Sequence, residues 1–142
     1  MRALLDVNVL IALHDCEHVH HDRAVEWFDA NIEQGWASSP LTQNGCLRVM
    51  SQAAYSHPQP LAMLVHMLQS STAAPWHQLW PDDISILDAA HFRHAHIHSP
   101  RQLTDLYLLG LAVQHQGCLV SFDQRMPLSA VHGAEPAHMV IL

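Results

Sequence analysis

Three aspartates lie beside apolar residues in this sequence, where a charged side chain is costly to bury. Asp6 follows an apolar run that begins at Ala3, Asp105 lies within QLTDLYLLGLA, and Asp123 ends CLVSFD. Removing a carboxylate from water costs several kcal/mol unless it is paired or coordinated. Clustered carboxylates repel one another and need a cation, and oxygen ligands suit Mg²⁺ or Mn²⁺. Together with Asn8, these aspartates predict a metal site that activates water and clamps phosphate oxygens.

Each aspartate also has a purely structural interpretation. A carboxylate near the start of a helix interacts favourably with the helix dipole, as Asp105 would. A carboxylate that follows a strand is often a turn former, as Asp6 and Asp123 would be. Taken from composition and spacing alone, the structural and the metal-binding interpretations both remain open.

The elements that must position these aspartates alternate along the chain. Short apolar segments predict strands at RALLD, WASS, HQLW, CLVSFD and AHMVIL. Helical patterns cover VNVLIAL, HHDRAVEWFDANIEQG, PLTQNGCLRVMSQ, PLAMLVHMLQS, SILDAAHFRHAH and SPRQLTDLYLLGLAVQHQG. The last of these helices begins either at Ser99, as a capping box, or at Thr104, and Gly117 is expected to end it. Alternating strands and helices predict an α/β fold with a mainly parallel sheet, whose ligands gather beyond the carboxyl ends of the strands.

Composition sets limits on the class of protein. The 142 residues suit a single domain spanning 1–142, and the chain is 49% hydrophobic with a formal net charge of -7. It has no lysine, so binding of nucleic acid through bulk positive charge is excluded and any such partner must be held locally. Three cysteines without a CxxC pair indicate neither a zinc knuckle nor a disulfide framework. No apolar run approaches the length of a membrane span, and we expect a cytoplasmic protein.

Fourteen histidines are present, many of them in two clusters. The first cluster is HDCEHVHH and the second is HFRHAHIH. Imidazole suits zinc or nickel, but neither cluster has the fixed spacing of a motif such as HExxH. Solvated or phosphate-facing histidines are the alternative, and they would become charged below about pH 6.5.

Several of these segments together resemble PIN-domain ribonucleases, and specifically the VapC-type toxins of bacterial toxin–antitoxin modules. The segments are LLDVNVLIAL, SPLTQNGCLRVMS, WPDDISILD and RQLTDLYLLGLAVQHQGCLVSFD, and the similarity runs from Met1 to about Arg125. The resemblance implies a three-layer α/β/α sandwich on a parallel sheet. It also implies Mg²⁺- or Mn²⁺-dependent cleavage of RNA, a homodimer, and a small antitoxin protein that blocks the cleft.

The resemblance also implies roles for particular residues. Asp6 and Asn8 match the first acidic motif of the family. Thr104 and Asp105 match its helix-start motif, with Thr104 on the substrate side, and Asp123 matches its strand-end acid. Where the family commonly has a glutamate early in the third helix, this chain has Gln43, which retains an oxygen acceptor but loses the charge. Metal affinity is then expected to be weaker.

Arg125 follows Asp123 closely and is placed to meet a phosphate of the substrate, with an ordinary surface arginine as the alternative. Two other functions remain open. A PIN scaffold that has lost its metal through Gln43 could act only as a binding protein. A small phosphatase-like hydrolase would usually need an acid two residues after Asp6, where this chain has Asn8.

Overall fold

A five-stranded parallel sheet forms the centre of the protein in a computed structural model, which describes residues 1–124 and 126–142. The strands are β1 (Ala3–Leu5), β2 (Trp36–Ser38), β3 (His77–Leu79), β4 (Cys118–Ser121) and β5 (Met139–Ile141). Their order across the sheet is β3-β2-β1-β4-β5, and each neighbouring pair is parallel. The predicted parallel α/β sheet is therefore confirmed, and β1 lies at its centre.

Five α-helices connect and cover the strands. They are α1 (Val7–His14), α2 (His21–Asn31), α3 (Pro40–Met50), α4 (Leu61–Thr72) and α5 (Leu103–Gln114). Because side chains alternate along a strand, Leu5 joins a core with α1, α3 and α4, while Leu4 joins a second core with α5. Both faces of the sheet are covered, which confirms the three-layer α/β/α sandwich. No helix in the described residues is long and apolar enough to cross a membrane.

The helix predicted for SILDAAHFRHAH is wrong. This segment forms turns and a short 3₁₀ helix at His94–His96. The hydroxyl of Ser85 accepts from the Leu87 N–H (3.1 Å) and the carboxylate of Asp88 accepts from the Ala90 N–H (2.8 Å). Such local side-chain acceptors compete with helical hydrogen bonds. Phe92 is instead held in the core, where it pairs with Val131 in an isolated antiparallel bridge.

The two ends of α5 differ in detail from those predicted from the sequence. The Ser99 hydroxyl accepts from the Arg101 N–H (3.3 Å) and begins a 3₁₀ helix over Pro100–Gln102, after which α5 starts at Leu103. The alternative start capped by Thr104 is wrong. At the other end it is Gln116, not Gly117, that adopts the left-handed conformation, with φ of 56°. Gly117 follows it, and its N–H donates to the Ala112 carbonyl (2.9 Å).

Candidate active site at the carboxyl edge of the sheet

Asp6 lies directly after the central strand β1 and caps the N-terminus of α1. One of its carboxylate oxygens accepts from the Val7 N–H (2.6 Å), and the other accepts from the Ser121 hydroxyl (2.9 Å). The residue is only 5% exposed. Burial raises the pKa of Asp6, and the negative charge of Asp123 acts in the same direction, whereas the two hydrogen bonds oppose the shift. The capping bond and the Ser121 bond thus share the cost of burying this carboxylate.

Ser121 links two of the three aspartates. It ends β4 and is fully buried. Its hydroxyl donates to Asp6 and accepts from the Asp123 N–H (3.0 Å), so one side chain fixes both acidic segments. Sequence analysis missed this residue. The signal was a lone polar residue inside CLVSFD, at the end of a strand expected to lie beside β1.

Asp105, the third aspartate, lies on α5, which packs on the opposite face of the sheet from α1. It is in the first turn of α5 and is half-buried. The pKa of Asp105 is raised to about 7, first by burial, then by the negative charges of Asp6 and Asp123, and by a hydrogen bond with Asp123. Asp6, Asp105 and Asp123 therefore lie close enough at the carboxyl edge of the sheet for their charges to interact.

This donor set fits a divalent cation. The three carboxylates are hard oxygen ligands, and their mutual repulsion is what a cation would relieve. Among residues 1–124 and 126–142, the three aspartates are not a group whose ligand atoms all lie within 4.8 Å of one another. Mg²⁺ usually keeps several waters and binds through one or two carboxylates, so it does not require direct contact with all three.

A tighter cluster elsewhere meets that distance criterion and consists of Asp15, Glu17 and His57. Its groups already have protein partners. The Tyr55 hydroxyl and the Glu17 N–H donate to Asp15, and His57 pairs with Glu17 (3.1 Å). These contacts join the α1–α2 connection to the α3–α4 loop. The cluster therefore has a structural role in holding the two loops together.

The remaining predicted residues are spread around the acidic group. Asn8, exposed in the first turn of α1, lines a cavity of about 670 Å³ together with Asp123. Thr104 lines a different, more apolar cavity of about 300 Å³ between Leu103 and Tyr107. The structure thus separates Thr104 from Asn8. Arg125 lies outside the described residues.

Gln43 is half-buried in the first turns of α3 and points its amide group at the end of β2. Its Nε2 donates to the Ser38 hydroxyl (2.9 Å), which also bonds His77 Nε2 (2.8 Å). Ser38 ends β2, the strand next to β1. This bond places Gln43 at the same edge of the sheet as Asp6, and it gives the amide group a buried polar partner there.

Histidines of both clusters form hydrogen bonds with protein groups, and within the first cluster the His20 N–H donates to His18 Nδ1 (3.0 Å). His14 contacts the Leu10 carbonyl and the Ser71 hydroxyl (both 2.7 Å), and His21 contacts the Ala12 carbonyl (2.6 Å). In the second cluster, His94 contacts the Ile86 carbonyl (2.7 Å) and His96 the Ser129 hydroxyl (3.0 Å). Neither cluster supplies three ligand atoms within 4.8 Å in the described part of the chain. The zinc or nickel hypothesis gains no support.

Comparison with known proteins agrees with this architecture. The family model described as PIN domain matches residues 3–131. Ribonuclease VapC44 of Mycobacterium tuberculosis (strain ATCC 25618 / H37Rv) is 49% identical over 142 residues, covering all of both chains. Ribonuclease VapC39 of the same strain is 37% identical over 134 residues, which is 94% of this chain and 96% of the relative.

Two solved structures share the fold at low sequence identity. VapBC2 from Rickettsia felis, bound to a DNA fragment from their promoter, superposes with a TM-score of 0.61 at 10% identity, over 88% of this chain and 90% of the other. FitAB bound to an IR36 DNA fragment gives a TM-score of 0.60 at 17% identity, over 99% and 93%. The fold is that of a PIN domain. The chain belongs to the PIN domain family and, by its full-length relatives, to the VapC ribonucleases.

Proposed function

We propose that this protein is a divalent-metal-dependent endoribonuclease and the toxin component of a toxin–antitoxin module. The observation that carries the proposal is that Asp6 and Asp123 both bond Ser121 at the carboxyl edge of a PIN-domain sheet, with Asp105 close enough for their charges to raise its pKa. Full-length similarity to proteins named ribonuclease VapC supports the same activity.

Asp6, Asp105 and Asp123 are the residues that would hold the cation, with Mg²⁺ as the first choice and Mn²⁺ as the second. When bound, such a cation polarises a phosphate and lowers the pKa of water. The protein's own part is to fix the carboxylates before substrate arrives. Ser121 and the Val7 N–H orient Asp6, and Ser121 also fixes the backbone of Asp123. Preorganised charge of this kind needs no rearrangement during the reaction.

Other polar groups at this edge complete the proposed site. Asn8 and Gln43 are proposed to contribute neutral oxygen acceptors beside the carboxylates. Thr104 and Arg125 are proposed to contact substrate, Thr104 from the cavity that it lines together with Leu103 and Tyr107. In the reaction itself, water adds to phosphorus and one P–O ester bond breaks, which leaves a phosphate on one RNA fragment and a hydroxyl on the other.

The proposed partners are RNA, a small cognate antitoxin and a second copy of this chain, in the cytoplasm. The VapBC2 complex among the solved structures with this fold supports an antitoxin partner. Light scattering of the purified protein is expected to give the mass of a dimer.

The test is cleavage of a structured RNA by the purified protein with Mg²⁺ or Mn²⁺. Cleavage should stop in EDTA and return when the metal is restored in excess. Full cleavage in excess chelator would remove the metal-dependent mechanism. A protein that is inactive at every metal concentration, but gains activity when Gln43 is replaced by Glu, would instead indicate a PIN-fold binding protein.

A further inference from the structure

The cavity that contains Asp123 also contains a cation and an aromatic ring. Its lining consists of Asn8, Ser99, Arg101, Gln102, Phe122 and Asp123. The volume of about 670 Å³ lies within the range of about 300–1,000 Å³ that is typical of ligand pockets. A space of this kind, open to solvent and continuous with a proposed catalytic carboxylate, is where the substrate next to the scissile bond must lie.

Arg101 is the cationic side chain of this cavity within the described residues. It is exposed and stands one helical turn before Asp105. Pro100 restricts the backbone on one side of it, and the Ser99 hydroxyl accepts from its N–H (3.3 Å). The neighbouring Gln102 side chain accepts from the His98 N–H (3.3 Å), so the segment that presents Arg101 is fixed at both ends.

The other described arginines do not line this cavity, and among them Arg23 is exposed in the first turn of α2. Arg2 donates to the carbonyls of Trp36 and Trp76 (3.2 and 2.7 Å), and Arg93 donates to the Ser129 carbonyl (3.0 Å). Arg48 is in the last turn of α3, a helix that starts at the carboxyl edge and runs away from it. In a chain of net charge -7, local placement of Arg101 is therefore what would attract a phosphate here.

Phe122 adds a surface on which a base can stack. It follows β4 directly, is half-buried, and packs against the core on the α1 side of the sheet. The ring of His20 lies against it, with centroids 4.7 Å apart and an interplanar angle of 33°. This support fixes the Phe122 ring where it lines the cavity. Aromatic rings that receive bases beside a cation are the recurring elements of single-strand binding.

We infer that this cavity binds one unpaired nucleotide of RNA next to the scissile phosphate, with Arg101 on its phosphate and Phe122 against its base. The inference rests on the proposed ribonuclease function and names the form of its substrate. A base in a duplex is stacked between its neighbours, so contact of its face with Phe122 requires an unpaired nucleotide. Arg101 and Phe122 act as substrate-binding residues and take no part in bond breaking.

The experiment measures binding and cleavage separately. Binding of a short fluorescent RNA of mixed sequence is measured by anisotropy in Ca²⁺, which keeps a cation at the carboxylates, and a gel verifies that the RNA stays intact. The same strand annealed into a duplex is measured in parallel. Cleavage is then measured in Mg²⁺ to obtain kcat and KM. Thermal unfolding confirms that each variant is folded.

Arg101→Gln should weaken binding of the single strand about fivefold or more, and it should lower the slope of log affinity against log salt by about 0.7, the value for one phosphate contact to a single strand. Arg101→Lys should restore part of the affinity and the full slope, because it keeps the charge but not the planar donor pair. The matched control is Arg48→Gln, which makes the same charge change and should leave affinity and slope unchanged.

Phe122→Leu should weaken binding at least fivefold without changing the salt slope, because base stacking carries no net charge. Both variants should raise KM and leave kcat nearly unchanged. The wild type should bind the duplex at least tenfold more weakly than the single strand.

The outcomes separate the inference from the proposed function. If the wild type cleaves RNA but Arg101→Gln and Phe122→Leu bind like the Arg48 control, the inference is overturned and the nuclease stands. If the variants lose binding as expected but no metal supports cleavage, the nuclease proposal falls and the RNA-binding site stands. Equal affinity for single strand and duplex would also overturn the inference.

Discussion

At the scale of single residues, the candidate site is built from carboxylates that the protein holds against their own repulsion. Asp6 is stabilised by an N–H and a hydroxyl, whereas the pKa of Asp105 is raised to about 7 by burial and by its acidic neighbours. Such perturbed carboxylates are common where a protein binds a cation or performs chemistry. Substitutions of single side chains should therefore have different effects on RNA cleavage and on the free energy of unfolding.

Asp105→Asn should reduce metal-dependent cleavage at least 100-fold while stabilising the metal-free fold by about 1 kcal/mol at pH 8. The amide removes one of the repelling charges, and the gain is small because Asp105 is only half-buried. Cleavage assays and denaturant unfolding in EDTA measure the two effects. A variant that cleaves as fast as the wild type would make Asp105 an ordinary helix-start residue.

Ser121→Ala should destabilise the protein by about 1–3 kcal/mol and also reduce cleavage. The change leaves the buried Asp6 carboxylate without one donor and the Asp123 N–H without its acceptor. The control is Ser70→Ala on exposed α4, whose hydroxyl bonds only the His66 carbonyl of its own helix (3.0 Å) and whose loss should cost less than about 0.5 kcal/mol. Equal unfolding midpoints for the two variants would exclude a bridging role for Ser121.

Gln43→Glu should lower the Mg²⁺ concentration at which cleavage is half-maximal. It places a negative oxygen at the edge that holds Asp6, and the Ser38 hydroxyl can donate to it in place of accepting from the amide. The maximal rate need not rise, because only interactions stronger in the transition state raise it. Gln52→Glu, an equal charge change on an exposed loop, is the control. An unchanged midpoint would place residue 43 outside the metal site.

At the scale of elements, connections between strands and helices set where the aspartates lie. Asp6 ends β1 and begins α1, so one residue closes a strand and caps a helix. The short connection from the end of α5 to β4 also requires a particular backbone conformation. There Gln116 takes the left-handed conformation, and Gly117 fits against the first strand.

Gly117→Ala should destabilise the protein by about 2 kcal/mol or more, whereas Gln116→Gly should stabilise it by about 0.5–1 kcal/mol. A Cβ on Gly117 would lie 2.4 Å from the Arg2 carbonyl oxygen and 2.5 Å from the Trp80 ring, and that carbonyl is held by the Cys118 N–H (3.0 Å). Glycine at position 116 would remove the cost of a left-handed side-chain residue. Unfolding midpoints that shift in the same direction for both would contradict this assignment.

At the scale of the whole molecule, buried histidines link stability to pH. Burial lowers the pKa of His14, the imidazole that bonds Leu10 and Ser71. A group that is held neutral in the fold binds a proton more readily when unfolded. Its contribution to stability is therefore complete above the unfolded pKa of about 6.5 and is lost as the pH falls below it.

His14→Gln should make stability less dependent on pH between 7 and 5.5. One such group changes the slope by at most about 1.4 kcal/mol per pH unit. Urea unfolding of wild type and variant across this range measures the difference. His66→Gln, on the exposed side of α4, should keep the wild-type slope. A steeper slope for the His14 variant would show that this imidazole is charged in the fold.

Patterns along the chain were sufficient to predict the strands, most of the helices and the alternation that makes the sheet parallel. They were sufficient because these signals are local: apolar runs such as RALL, the Pro40 start of α3 and the helical stripe of α4 act within a few residues. They failed at SILDAAHFRHAH, where the side chains of Ser85 and Asp88 outcompete helical hydrogen bonds and Phe92 is drawn into the core.

The interactions among the acidic residues depend on how the three layers pack, and they could not be predicted from the sequence. Ser121 bonds Asp6 across 115 residues, and Asp105 acquires its raised pKa from carboxylates that approach it from β1 and β4. Arg101 and Phe122 likewise share a cavity only because the start of α5 and the end of β4 meet at one edge of the sheet. Desolvation and charge repulsion depend on distances in space, and these distances are set by the packing of three layers rather than by spacing along the chain.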